Sequence, residues 1–142
     1  MSEAFQYKYD RYGADAFAEF RTAKTGTTFA AGDILAYSSS ADTVELATAG
    51  STRIAGIAID GVTNAVAGQQ VQVQINPGAV YRVKYTPGTK TSLAGSDVGT
   101  SFDLASGSKT INLDDTTGGM CKVVAYDNTE KTADVMIGSR LV

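Results

Sequence analysis

A chain of 142 residues with 12 Lys and Arg against 15 Asp and Glu, no His, no Trp, one Cys and 15 Gly has the length of one domain, enough to bury about two thirds of its unfolded surface. Lacking His, it has neither the commonest general base nor the commonest metal ligand, and a single Cys allows no internal disulfide and no cysteine zinc site. A net charge of -3 with scattered basic residues gives no electrostatic footprint for nucleic acid or for an anionic membrane surface.

Val and Ile number 19 against 6 Leu, and Ser plus Thr number 28. β-Branched side chains lose rotamer freedom in helices and pack well on pleated sheets, so the balance predicts an all-β domain. The N-terminus has no basic stretch followed by an apolar core, and the longest apolar run, Ile54 to Ile59, is far short of a bilayer span; neither a signal peptide nor a membrane span is expected.

The first twenty residues hold six of the twelve aromatics: Phe5, Tyr7, Tyr9, Tyr12, Phe17 and Phe20. Phe5, Tyr7 and Tyr9 are spaced by two, so an extended segment lines them along one face. From Tyr12 to Phe20 the spacing fits a helical turn equally well. One reading is a first strand whose aromatics fill the domain's own core. The other is a separable arm, residues 1–21, that docks on another chain, because Tyr and Phe bring large contact area at low entropy cost. On that second reading the six aromatics are the partner interface, and deleting residues 1–20 leaves the domain of residues 22–142 folded.

Short β-segments follow, separated by turn residues. Ala31-Gly32-Asp33 leads into Ile34 to Tyr37, a polar loop precedes Val44 and Leu46, and Ile54 to Ile59 reads as a buried strand stopped by Asp60-Gly61. Ala67-Gly68 leads into Val71 to Ile75, whose strict alternation predicts one dry and one wet face. Asn76-Pro77-Gly78 and Thr86-Pro87-Gly88 bracket a strand from Val80 to Tyr85, with Tyr81, Val83 and Tyr85 on one face and Arg82 and Lys84 on the other. Beyond Ala94-Gly95 come Val98 to Phe102, Thr110 to Leu113, Met120 to Tyr126 and Ala133 to Ile137. About eight or nine short strands with regular turns imply a small single-domain β-barrel or β-sandwich.

Acidic residues are the only stock for catalysis or metal binding. Asp114-Asp115 suits caps on turn N–H groups. Asp127-Asn128-Thr129-Glu130 clusters oxygen ligands but lacks the other positions of a calcium loop. Asp97 and Asp103 flank Val98 to Phe102, with nothing to set a catalytic separation. Cys121 alternates with Val123 and Ala125 and reads as a buried small hydrophobe. Tyr81, Tyr85 and Tyr126 are the stacking candidates for a sugar, weighed against by the absence of Trp, and the run from Tyr81 to Tyr85 is the stacking candidate for a single strand, weighed against by the net negative charge. No catalytic residue, cofactor or metal is expected, and the chain is not read as an enzyme.

The stretches Phe29 to Tyr37, Thr52 to Val62, Ala67-Gly68 into Val71 to Ile75, Gly99 to Leu104, Asp114 to Gly119, Cys121 to Asp127 and Ala133 to Ile137, in that order, resemble the head-decoration, or cement, proteins of tailed bacteriophages. The resemblance covers residues 22–142. It implies a structural virion protein, made in the host cytoplasm, that binds the outer surface of an expanded capsid, bridges major capsid proteins and stabilises the head. It further implies a homo-oligomer, with a trimer favoured, and an N-terminal arm that contacts the shell. Another virion component, such as a head-fibre base or tail adaptor, and a carbohydrate-binding β module are the alternatives.

Overall fold

The computed structural model describes residues 4–38, 42–51 and 53–138. Among these, eleven strands run in chain order: β1 (Gln6–Asp10), β2 (Ala18–Thr22), β3 (Ile34–Tyr37), β4 (Val44–Leu46), β5 (Ile54–Ala58), β6 (Gln70–Gln74), β7 (Ala79–Thr86), β8 (Ser101–Phe102), β9 (Ile111–Asn112), β10 (Cys121–Asp127) and β11 (Thr132–Ile137). The fold is all-β, as composition predicts. It is a sandwich of two sheets and not a closed barrel. Sheet A has the order β1-β7-β11-β10-β8, with β9 attached in parallel to β7, and sheet B the order β2-β6-β5-β3-β4. The strand count exceeds the expected eight or nine because β1 and β2 come from the segment read as an arm.

Alternation explains the core between the sheets. Tyr81, Val83 and Tyr85 of β7, Cys121 and Val123 of β10, and Val135 and Ile137 of β11 point inward to meet Ile34, Ala36, Ile54 and Ile57 of sheet B. A second cluster lies on the far side of sheet B, built on Leu35, Val44, Ala55, Val71 and Val73 and capped by Phe29, Val62 and Ala65. The connections that cap it zip together. Phe29 and Val62 exchange backbone hydrogen bonds of 3.0 and 2.8 Å, and Gly26 N–H donates to the Ala65 carbonyl at 2.7 Å. A parallel bridge between Ala23 and Val44 ties the end of β2 to β4, so sheet B curls around this cluster.

Alternation holds along most of β6, where Gln70 is exposed and Gln72 half-buried, but the wet face expected for Val71 to Ile75 closes over at Gln74. Gln74 is buried and accepts a 2.9 Å hydrogen bond from the Tyr81 hydroxyl between the sheets. At Gly56 the chain passes through φ +148°, and a Cβ there would strike the Gln74 carbonyl, so only glycine fits where β5 bulges against β3.

Candidate partner interface

β1 and β2 are the edge strands of the two sheets on the same side of the sandwich. β1 pairs with β7 and β2 with β6, and β6 passes into β7 through Asn76-Pro77-Gly78. The loop from β1 to β2 follows that corner and is clamped to it. Buried Asn76 accepts from the Phe17 N–H at 2.8 Å and donates to the Asp15 carbonyl at 2.8 Å and to the Asp10 carboxylate at 3.2 Å. Asp10 in turn accepts from the Tyr12 N–H at 2.7 Å, and Arg11 N–H donates to the Gly78 carbonyl at 2.9 Å. A Cβ on Gly78 would collide with the Tyr12 ring, so the glycine makes room for that aromatic.

The six N-terminal aromatics divide. Phe5 is fully buried and belongs to the core between the sheets; for this residue the interface expectation is corrected. The other five are exposed: Tyr7 38%, Tyr9 48%, Tyr12 75%, Phe17 48% and Phe20 62%. Among the described residues nine large hydrophobics are exposed, and these are five of them. They do not share one face. The register slips between Tyr7 and Tyr9, leaving Lys8 as a bulge, so Tyr7 faces buried Tyr81 while Tyr9 faces Val80 on the outer side of sheet A. The Tyr7 and Tyr81 rings meet edge to face, 6.0 Å between centroids at 70°. Phe20 stands on a strand, and no helical turn forms between Tyr12 and Phe20.

Between the two edges lies an apolar groove of about 350 Å³, with Tyr7, Phe17 and Ile59 among its walls and Phe5, Gln74 and Tyr81 at its base. Ile59 had no signal in the sequence beyond ending an apolar run; past the end of β5 it is 43% exposed. Asn76 was legible only as a turn residue. Its clamp joins residues more than 55 positions apart, which local pattern does not encode. Because β1 and β2 complete both sheets and Phe5 fills the core, residues 4–22 are built into the domain, and their deletion is not a clean test of docking.

The other candidates have structural partners. The Asp114 carboxylate accepts from the Thr89 and Lys90 N–H groups at 2.8 and 2.9 Å, and Asp115 from the Thr117 N–H at 3.0 Å, the turn-capping role expected. The Lys90 and Thr89 N–H groups hold the Asp114 carboxyl below the usual carboxylate value. Asp97 accepts from the Ala94 N–H at 2.8 Å and pairs with Lys90 at 3.0 Å, which lowers it too. Buried Asp103 accepts from the Gly50 N–H at 3.2 Å and the Leu104 N–H at 2.8 Å. Asp127 caps its hairpin through the Thr129 and Glu130 N–H groups, while Asn128 faces inward to the Tyr85 hydroxyl and the Leu93 backbone. No group of three or more His, Cys, Asp or Glu among the described residues is placed to hold a metal ion. Tyr81 and Tyr85 are buried, so neither the sugar platform of Tyr81, Tyr85 and Tyr126 nor the single-strand platform from Tyr81 to Tyr85 is presented at the surface. Burial pushes the Cys121 thiol up, with the Asp103 charge adding to it.

No family model and no curated protein matches the chain. Among solved structures it is similar to the N base of the head fibre protein gp8.5 of bacteriophage phi29. That match has a TM-score of 0.47 and 19% identity, covering 89% of this chain and 98% of that one.

Proposed function

We propose that this chain is a structural protein of a tailed-bacteriophage virion that docks on the outer surface of the capsid, bridging neighbouring copies of the major capsid protein. The observation that carries the reading is the aromatic margin: exposed Tyr7 and Tyr9 on β1, Phe20 on β2 and Tyr12 and Phe17 on the loop that joins them, with Tyr7 and Phe17 lining an apolar groove. Monomeric surfaces rarely hold so many aromatics along one border unless something covers them. The ordered resemblance of residues 22–142 to decoration proteins supports the same reading. A structural role is supported by the carboxylates of Asp97, Asp103, Asp114, Asp115 and Asp127, each of which accepts a hydrogen bond from a backbone N–H group and so holds a turn or loop. Many identical contacts around a rigid shell convert modest single affinities into stable coverage.

The test is co-sedimentation with undecorated mature capsids, comparing the full chain with the variant Tyr9→Ser/Tyr12→Ser/Phe17→Ser/Phe20→Ser. Tyr12 and Phe20 are mostly exposed and their replacement should cost about 0.5 kcal/mol each, while half-buried Tyr9 and Phe17 should cost about 1–2 kcal/mol each. The expected result is saturable binding at many copies per shell, lost in the variant although the variant still melts in one cooperative transition. Attachment at only a few copies, at one vertex or the tail, would replace the shell reading with another virion role. No attachment of the full chain overturns it.

A further inference from the structure

The outer face of sheet A carries a second feature that the groove does not include. Cross-strand register aligns Tyr9, Val80, Met136, Lys122 and Ser101 in one row across β1, β7, β11, β10 and β8. Over this row the β1–β2 loop closes one side of a depression of about 430 Å³, lined by Arg11, Tyr12, Ser101, Lys122, Val124 and Met136, with Ile137 and Gly138 at the end of β11. No Asp or Glu lines it. Arg11 and Lys122 are exposed, and the five ion pairs among the described residues include neither. The nearest acid in sequence, Asp10, is turned away to the Tyr12 N–H and the Asn76 amide.

We propose that this depression recognises an acidic segment of a protein partner, its carboxylates paired with Arg11 and Lys122 and a neighbouring apolar side chain resting on Tyr12, Val124 and Met136. Charge complementarity selects the occupant: two cations that take part in none of the ion pairs among the described residues stand over an apolar floor in a chain whose net charge is -3. The floor separates a peptide from a free anion, because phosphate would leave Met136 and Val124 without contact. The site is also held in place beforehand. Arg11 and Tyr12 are fixed through their backbone N–H groups to Gly78 and Asp10, so little loop ordering opposes binding. The inference concerns the chemistry of the partner segment and stands whether or not that partner is a capsid.

The experiment is an NMR titration of the full chain with a blocked peptide of sequence Glu-Leu-Glu-Asp-Phe-Glu, its Gln and Asn counterpart, and sodium phosphate. The acidic peptide should shift the Met136 methyl and the Tyr12, Lys122 and Val124 signals saturably. The amide counterpart should bind at least about tenfold more weakly, and Arg11→Gln/Lys122→Gln should weaken the acidic peptide by about tenfold. Both changes are at exposed positions, so the melting temperature of the double variant should not move. Equal binding of the amide peptide removes the charge from the proposal. Phosphate shifting the same signals and displacing the peptide shows a bare anion site, and shifts elsewhere or none at all refute it; each of these outcomes overturns the inference.

Discussion

At the scale of single residues, stability rests on a few polar side chains that hold backbone in place. Asn76 is the clearest. Its amide satisfies the Phe17 N–H and the Asp15 carbonyl in a corner where the residue itself has no exposed surface. Asn76→Ala strands those groups, and because a buried unsatisfied donor or acceptor costs more than a hydrogen bond contributes, the expected loss is about 2–3 kcal/mol by urea denaturation. Asp97 and Asp114 make a different prediction. Hydrogen bonds from the Ala94, Lys90 and Thr89 N–H groups and the Lys90 ammonium hold both below the ordinary value of 3.8. The unfolded chain therefore takes up protons first as acid is added, and their contribution, complete above the unfolded value, is lost as pH falls through the folded pKa. The melting temperature should be flat from about pH 7 to 5 and fall below about pH 4. The variant Asp97→Asn/Asp114→Asn should be less stable at neutral pH with a shallower acid decline; an unchanged acid limb would assign it to other carboxylates.

At the scale of elements, β1 shows how an exposed edge is kept from pairing with another chain. Lys8 is a single extra residue opposite β7, a bulge carrying a cation on an edge strand, and both devices discourage addition of a further strand. Removing it joins Tyr7 to Tyr9 in unbroken register, with Tyr7 still opposite Tyr81 and Tyr9 still opposite Val80. Deletion of Lys8 should therefore cost no more than about 1 kcal/mol in urea unfolding, yet raise concentration-dependent self-association measured by light scattering. A variant that unfolds, or one that stays monomeric, would show that the bulge serves something else. The same residue marks where the sequence stops being legible. Phe5, Tyr7 and Tyr9 carry the period of a regular strand, and nothing local announces that Tyr9 crosses to the other face. The strands from Ile34 to Tyr37, Val80 to Tyr85 and Ala133 to Ile137 were readable because alternation and Gly or Pro turns are local. Burial of Gln74 was not, because it depends on sheet A arriving over β6, and the groove wall at Ile59 was not, because β1 and β2 must first find their partners.

At the scale of the whole molecule, the two apolar clusters cannot come apart independently. Neighbouring residues of one strand feed both: Ile34 and Ala36 point into the core between the sheets and Leu35 into the cluster beyond sheet B, and β5 divides Ile54 and Ile57 from Ala55 in the same way. Opening either cluster displaces the strands that build the other, so unfolding should be a single transition. Cys121 reports on it. The thiol is fully buried on β10, between Ile137 of β11 and Phe102 of β8, and burial pushes its ionisation up. Reaction with a chromogenic aromatic disulfide requires the thiolate and access to solvent, so native labelling must wait for the chain to open. The labelling rate should rise with urea with the same dependence as the equilibrium transition followed by circular dichroism. A markedly weaker dependence would mean that the two-residue strand β8 peels from β10 alone, making that edge, and not the clamped aromatic margin of β1 and β2, the least stable border of the sandwich.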